Sequence, residues 1–186
     1  MGLRIIGGDL KRKKLIYLNK SSIRPTSDRL RESVFNILSF SIQGRIVLDL
    51  FAGTGAFGFE SLSRGAESAV FIDNDNSALS LIRQNKRSLA LDDRVKIIKW
   101  NIVKNLDCVK SGNPLFNLVF MDPPYSKNLI KPALLNLINS RCLEKEACIV
   151  VEHTFLESIP KNLLTYNIID QRKYGKKIVS FLNFRK

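Results

Sequence analysis

From residue 45 onward, short apolar runs alternate with longer segments in which apolar residues recur at helical spacing. The short runs predict β-strands at residues 46–51, 68–73, 95–99, 115–121 and 147–152. The longer segments predict helices at residues 56–64, 76–91 and 129–139. Two of the runs, IVLDLF and NLVFMD, are apolar almost throughout, as strands covered by helices on both faces require. The alternation predicts an α/β protein with a Rossmann-like, doubly wound and mostly parallel sheet.

The carboxyl-terminal end departs from this alternation. Residues 163–172 and 176–184 are rich in β-branched and aromatic residues, and a turn at Tyr174 and Gly175 separates them. We therefore expect an antiparallel hairpin that closes the sheet.

The amino-terminal end is basic. Residues 1–20 predict a short hairpin or an extended arm with a turn at Gly7-Gly8-Asp9. A helix should follow from Ser27 or Asp28 to Phe40, with Ser27 as its N-cap. We expect a single domain in which this arm and helix (1–44) precede the catalytic part (45–186).

The composition is that of an ordinary globular protein, with 186 residues of which 45% are hydrophobic and 25% charged. No apolar run approaches the ~18–20 residues that cross a bilayer, and residues 1–8 lack the apolar stretch of a signal peptide. We therefore expect a cytoplasmic protein without a membrane partner. The cysteines Cys108, Cys142 and Cys148 lack the short paired spacing of a metal or redox motif, so we expect free thiols and no metal site.

The positive charge lies at the two ends of the chain. Residues 1–45 contain ten Lys and Arg against three Asp and Glu, and residues 171–186 contain six against none. The stretch between them is neutral, so the ends carry the whole net charge of +13. This distribution favours a catalytic domain with a phosphate-binding surface at its edges. A scatter of solvated lysines is the alternative.

A glycine-rich segment, DLFAGTGAFG from Asp49, follows the first predicted strand and opens a helix. Its last six residues fit the pattern G-x-G-x-x-G, in which glycines permit a tight turn and a close approach by a nucleotide. Asp73 lies twenty residues after Gly53, at the end of the next predicted strand, where an acid can bind ribose hydroxyls. A dinucleotide fits these features as well as a methyl donor does.

Asp49 favours the methyl donor. A carboxylate at this strand end would repel the pyrophosphate of a dinucleotide, whereas S-adenosylmethionine offers a sulfonium and an ammonium group. The structural alternative is that Asp49 braces the loop. Asn101, after the third strand, is expected near the adenine, although a lone Asn there is often a turn residue. The residues expected to bind S-adenosylmethionine are Asp49, Phe51, Ala52, Gly53, Thr54, Gly55, Asp73, Asn74, Asn101 and Ile102.

The fourth predicted strand ends in Asp122-Pro123-Pro124-Tyr125. The exocyclic amine of a base is a poor nucleophile, because its lone pair is delocalised into the ring. Hydrogen bonds from the amine to the Asp122 carboxylate and the Pro123 carbonyl would aim that lone pair at a methyl group. Tyr125 could stack on the extruded base. The alternative is a rigid turn after a strand.

Three arginines lie within residues 24–31, and arginine suits bidentate phosphate contacts. A helix with a solvated basic side fits the spacing equally well. The residues expected to contact RNA are Arg4, Lys11, Arg12, Arg24, Thr26, Arg29, Arg31, Lys173 and Tyr174. His153, the only histidine, is expected to be structural.

Four motifs together resemble the bacterial small-subunit (16S) ribosomal RNA guanine-N2 methyltransferase D family: RIIGG from Arg4, RPTSDRLRE from Arg24, DLFAGTG from Asp49 and DPPY from Asp122. The resemblance spans nearly the whole chain. It implies a class I S-adenosylmethionine-dependent methyltransferase that modifies the exocyclic N2 of one guanine in a hairpin loop of 16S ribosomal RNA. The chain departs from the family at Asp73, where relatives often have Glu, but the shorter carboxylate still reaches a ribose diol.

The resemblance also implies the molecular context of the reaction. The substrate would be 16S ribosomal RNA within assembled or partly assembled small subunits, with ribosomal proteins as neighbours, and the enzyme is expected to be a monomer. Three alternatives stay open: an adenine-N6 or cytosine-N4 methyltransferase of DNA, an oxidoreductase on the same fold, and an RNA-binding protein without catalysis.

Overall fold

A single mixed sheet organises the computed structural model, which describes residues 2–17, 28–38, 41–110, 114–160 and 165–185. Its strands are β1 (Ile46–Leu50), β2 (Ser68–Asp73), β3 (Val95–Lys99), β4 (Phe116–Met121), β5 (Leu143–Thr154), β6 (Tyr166–Tyr174) and β7 (Lys177–Phe184). The helices are α1 (Asp28–Leu38), α2 (Ala56–Ser63), α3 (Asn76–Ser88) and α4 (Ile130–Asn139). Among the described residues, no helix has the length and apolarity to span a membrane.

The strands lie in the order β3-β2-β1-β4-β5-β7-β6. Neighbouring strands from β3 to β5 are parallel, whereas β7 is antiparallel to both β5 and β6. This topology confirms the predicted doubly wound sheet with a carboxyl-terminal hairpin. The chain reverses direction across the sheet between β1 and β4, and ligands bind at the carboxyl ends of strands at such a point.

Helices cover both faces of the sheet. Successive residues of a strand point to opposite faces, and apolar side chains occur on both. Along β1, Val47 packs into the layer that holds α1, α2 and α3, and Leu48 packs into the layer that holds α4. In the first layer the rings of Phe57 and Phe120 stack with centroids 4.9 Å apart, and Phe35 of α1 lies 5.7 Å from Phe120. Helix α1 is therefore anchored directly over the end of β4.

Several predicted bounds differ from the observed ones by about one to four residues, and two predicted positions lie outside the described residues. Strand β5 begins at Leu143, four residues before the predicted start at residue 147. The added residues 144–146 are polar and exposed, and this part of the strand pairs irregularly with β4. The apolar pattern could not mark such a segment. The predicted N-cap Ser27 and the predicted helix end at Phe40 lie outside the described residues.

The amino-terminal arm is a hairpin, held by a bridge between Arg4 and Lys14 and docked on α2. The buried carboxylate of Glu60 accepts hydrogen bonds from the backbone N–H groups of Ile6 and Gly7, at 2.7 and 2.8 Å. Gly8 has a φ of 74° and approaches α2 so closely that a Cβ there would overlap the Ser63 carbonyl oxygen. The RIIGG motif thus acts as a docking element for the arm.

Gly8→Ala should destabilise the protein more than Gly44→Ala, a matched control. Gly44 has a similar φ of 70°, but no atom lies within 4 Å of the position that a Cβ would take there. The control should lose only the cost of a left-handed alanine, about 1–2 kcal/mol. Gly8→Ala adds the clash with α2 and should lose about 1–3 kcal/mol more in the free energy of unfolding in urea. Equal losses in the two variants would contradict this account of arm docking.

Candidate active site

Four loops meet at the carboxyl edge of the parallel strands, because β1 to β4 all end on that side. They follow β1 (51–55), β2 (74–75), β3 (100–101) and β4 (122–125). Each of the predicted cofactor and amine-binding segments lies at this edge. The sheet thus collects residues that are up to about 75 positions apart in the sequence.

The glycine-rich loop after β1 requires left-handed backbone at several positions. Phe51, Gly53 and Gly55 have φ values of 57°, 53° and 75°. A Cβ on Gly53 would meet nothing closer than 3.9 Å, so the backbone there is open to a ligand. By contrast, a Cβ on Gly58 would overlap the Phe71 ring, so that glycine allows α2 to pack tightly on β2.

Asp73 joins the loops after β1 and β2. One carboxylate oxygen accepts a hydrogen bond from Gly53 N–H and the other from Asp75 N–H, both at 2.9 Å. A carboxylate has about four lone-pair sites, so Asp73 can still accept hydroxyl donors. This geometry suits the ribose-binding role predicted for it.

Asp49 is buried beneath the glycine-rich loop, where its carboxylate accepts a hydrogen bond from Gly58 N–H at 3.0 Å. Burial raises the pKa of Asp49 well above its ordinary value; the Gly58 hydrogen bond opposes this shift, and the charges of Asp122 and Asp73 add to it. Asp49 therefore holds the first turn of α2, directly after the loop, which agrees with the structural alternative that it braces this segment. It also lies in a region of concentrated negative potential, which a cationic ligand would relieve.

The loop after β3 is fixed partly by its own side chains and partly by α4. Asn101 is exposed, as is Asn74 in the loop after β2. Asn101 Oδ1 accepts a hydrogen bond from Val103 N–H at 3.1 Å, which makes Asn101 a turn residue in this structure. Ile102 is buried. Sequence reasoning missed Asn136, whose amide donates to the Ile102 and Val103 carbonyls at 2.8 Å each. The available signal was a polar residue inside the apolar run LLNLI of this helix.

The loop after β4 exposes its catalytic candidates in part. Pro123 is buried, Asp122 is half-buried, Pro124 is exposed and the Tyr125 residue is 39% exposed. The Tyr125 hydroxyl donates to Glu152 Oε1 at 2.5 Å, and Lys177 forms an ion pair with the same carboxylate. Sequence reasoning missed Glu152 and Lys177, although an acid at the end of the apolar run IVVE was a signal.

The predicted RNA contacts differ in their exposure. Arg4, Lys11, Arg12, Arg29 and Lys173 are exposed, whereas Tyr174 is half-buried with its hydroxyl 2.5 Å from Ser33 Oγ. Arg24 and Thr26 lie outside the described residues.

Arg31 corrects the sequence prediction. It is fully buried, and its Nη2 donates to the Arg4 carbonyl at 2.8 Å and to Asp28 Oδ1 at 2.7 Å. It fastens the arm to α1 and has no surface to offer RNA. Helical spacing could not reveal this, because the arm packs over what looked like a solvated face.

The remaining titratable candidates are structural. The His153 side chain is buried between Ser180 Oγ, 2.7 Å from Nε2, and the Thr154 carbonyl. Burial raises the pKa of the Cys108 and Cys148 thiols to about 11, so they remain protonated at neutral pH. No cluster of three or more potential metal ligands occurs within the described ranges.

The sequence also matches a protein-family model, described as Conserved hypothetical protein 95, over residues 3–183. The chain belongs to this family. It is 35% identical over 158 residues to Ribosomal RNA small subunit methyltransferase D of Escherichia coli, covering 85% of this chain and 78% of that relative. It is 33% identical over 174 residues to YlbH of Bacillus subtilis, covering 93% and 94%. These relatives confirm the resemblance inferred from the four motifs.

The solved structures agree with membership of the Conserved hypothetical protein 95 family. The structure of yhhF from Escherichia coli superposes with a TM-score of 0.87 at 28% identity, over 98% of each chain. Strands, hairpin and amino-terminal arm therefore form a shared architecture and are not additions peculiar to this chain.

Proposed function

We propose that this protein transfers a methyl group from S-adenosylmethionine to the exocyclic N2 amine of a guanine in 16S ribosomal RNA, within assembled or partly assembled small subunits in the cytoplasm. The observation that carries the proposal is the position of Asp122-Pro-Pro-Tyr125 at the reversal point of the sheet, beside the carboxylates of Asp49 and Asp73. Small-subunit ribosomal RNA is the substrate class in the names of the relatives.

The residues at the edge fit S-adenosylmethionine better than a dinucleotide. Asp49, Asp73 and Asp122 interact electrostatically, and the potential they create would repel a pyrophosphate. Asp73 would hold the ribose, the open backbone at Gly53 would admit the nucleoside, and Asp49 would complement the positive charge of the donor. When bound, the donor supplies an electrophilic methyl group on a sulfonium centre.

The loop after β4 orients the acceptor. The Asp122 carboxylate accepts a hydrogen bond from one N–H of the amine and the Pro123 carbonyl accepts one from the other, so the nitrogen lone pair points out of the base plane. The carbonyl of buried Pro123 is fixed because its own ring restrains φ and the following Pro124 restricts its ψ. The half-exposed Tyr125 ring offers a stacking surface for the base. These residues require no covalent intermediate on the protein.

Basic residues lie at two separate places, which favours a structured RNA. Lys173 near the end of β6 and Lys176 in the turn between β6 and β7 lie at the catalytic edge, because the adjoining Lys177 pairs with Thr154 at the carboxyl end of β5. The arm turn with Lys11 and Arg12 packs near Ser63, at the far end of α2, about 12 Å along that helix. A folded RNA or ribosomal surface could contact both.

A methyl-transfer assay with tritiated S-adenosylmethionine tests the proposal. The substrates are naked DNA, naked 16S ribosomal RNA and small subunits from a strain that lacks the enzyme, followed by mass-spectrometric mapping of the labelled nucleotide. We expect N2-methylguanine at one position in small subunits. Labelling of DNA alone, or of a base other than guanine, would contradict the proposal.

Lys173→Ala should weaken binding to small-subunit RNA and reduce its salt dependence. Each phosphate contact contributes about 0.7–0.9 to the slope of log affinity against log salt, so the slope should fall by about that amount. Lys145→Ala is the control, because Lys145 is exposed near the start of β5, at the opposite edge of the sheet. Unchanged slopes in both variants would remove the hairpin turn from the RNA interface.

A further inference from the structure

Tyr125 is held in place by two residues of the β5–β7 pair. Its hydroxyl donates to Glu152 Oε1 at 2.5 Å, and the Lys177 ammonium lies 5.6 Å from the centroid of its ring. Lys177 also forms an ion pair with Glu152. The ring is thus restrained at its polar end by a carboxylate and along its face by a cation, while 39% of the residue remains exposed.

Glu152 is a buried acidic residue in a strand whose immediately preceding residues are apolar. It follows the apolar run IVV in β5 and is only 2% exposed. A buried carboxylate is costly unless charged and hydrogen-bonding partners compensate for its lost hydration. One partner of Glu152 is Tyr125, which the proposed function places against the target base, and another is Lys177, which belongs to the carboxyl-terminal hairpin.

We propose that Glu152 is a positioning residue, which fixes the Tyr125 ring for base stacking and links it through Lys177 to the basic hairpin turn. This inference rests on the proposed function, since it assigns the ring the role of base platform. Without the carboxylate, the Tyr125 side chain can adopt other rotamers, and the fraction of bound bases in the reactive orientation falls. Phosphate contacts elsewhere on the surface hold the RNA, so its affinity changes little.

Steady-state kinetics with small subunits distinguish positioning from simple loss of structure. Glu152→Ala should lower kcat about 10- to 30-fold with the KM for subunits within about twofold, because misorientation of the reacting group costs rate and not binding. Glu152→Gln keeps an acceptor oxygen for the Tyr125 hydroxyl and should retain kcat within about fivefold. Glu146→Ala is the matched control: Glu146 lies in the same strand and bonds Asn183 of β7, but it is exposed and at the other end.

A double-mutant cycle tests whether Glu152 acts through Tyr125. Tyr125→Phe removes the hydroxyl, so adding Glu152→Ala should lower kcat by less than about threefold further. Independent, multiplying losses would overturn the proposal, as would wild-type kcat in Glu152→Ala. Affinity for S-adenosylmethionine, measured by calorimetry, should be unchanged in each variant.

The fluorine spectrum of 3-fluorotyrosine at Tyr125 keeps the proposal testable without turnover. A fixed ring gives a line displaced from that of free fluorotyrosine, and Glu152→Ala should move it toward the free position while Glu146→Ala leaves it in place. An unmoved line in Glu152→Ala would overturn the positioning role. Failure of the wild-type protein to label any ribosomal substrate would instead overturn the proposed function, and the fluorine result would still stand.

Discussion

Replacement of Asp122 by alanine should lower kcat for methyl transfer by about 10²–10³-fold, the largest effect we expect from a single substitution. The variant loses the acceptor that orients the amine, and removal of one such preorganised contact typically costs about 2.7–4 kcal/mol of transition-state stabilisation. Asp122→Asn keeps one acceptor oxygen and should lose only about tenfold. The measurement is single-turnover transfer to small subunits at saturating S-adenosylmethionine.

Binding measurements show whether the loss lies in chemistry. The Kd for S-adenosylmethionine should stay within about threefold, since the proposed function assigns Asp122 to the target amine and not to the donor. Asp93→Ala is the control, because Asp93 is exposed in the turn that precedes β3, on the amino side of that strand. Retained turnover in Asp122→Ala would remove the carboxylate from the mechanism and leave the tetrapeptide as a turn.

Asp49→Asn should weaken S-adenosylmethionine binding by about 10- to 100-fold. Hydrogen bonds and contacts to a charged group contribute about 1.5–3 kcal/mol, and each 1.4 kcal/mol is a tenfold change in affinity. The amide oxygen can still accept from Gly58 N–H, so the start of α2 and the loop before it should keep their shape. Isothermal titration calorimetry measures the loss, with Asp92→Asn, which replaces an exposed carboxylate, as the control.

The pH dependence of the melting temperature distinguishes the effect of the Asp49 charge from the effect of its shape, since asparagine has nearly the same shape and no charge. Because burial raises its folded-state pKa, the folded protein holds this proton more tightly than the unfolded chain does. Its contribution to stability is therefore fully present below the ordinary carboxyl pKa and is lost as pH rises through the raised value. Asn has no such transition, so the melting temperature of the variant relative to wild type should increase from pH 4 to pH 7.

Cofactor affinity should have the opposite pH dependence. A cation binds the ionised carboxylate, so wild-type affinity for S-adenosylmethionine should rise with pH through the raised pKa of Asp49, and the Asp49→Asn variant should lose that component. An Asp49→Asn variant with wild-type affinity at every pH would show that the residue only braces the loop.

Local patterns determined the sheet and the positions of the loops. The alternation of short runs rich in apolar and β-branched residues with longer helical segments placed β2 and β3 at their observed bounds, because such short runs bounded by polar turn and helix segments are typical of strands. The glycines after β1 and the tetrapeptide after β4 were recognisable because each carries its constraint within a few adjacent residues. Strand order then follows from the fold class, which brings those ends to one edge.

Only the tertiary structure decided which charged residues are buried and what they contact. Arg31 looked like an RNA contact until the arm was seen to cover it, and Glu152 and Lys177 meet Tyr125 only because β5 and β7 pair in one register. The raised pKa of Asp49 likewise depends on burial and on carboxylates 24 and 73 positions away in the sequence. Periodicity records which face of an element is apolar, but not what packs against it, and burial and charge proximity are properties of that packing.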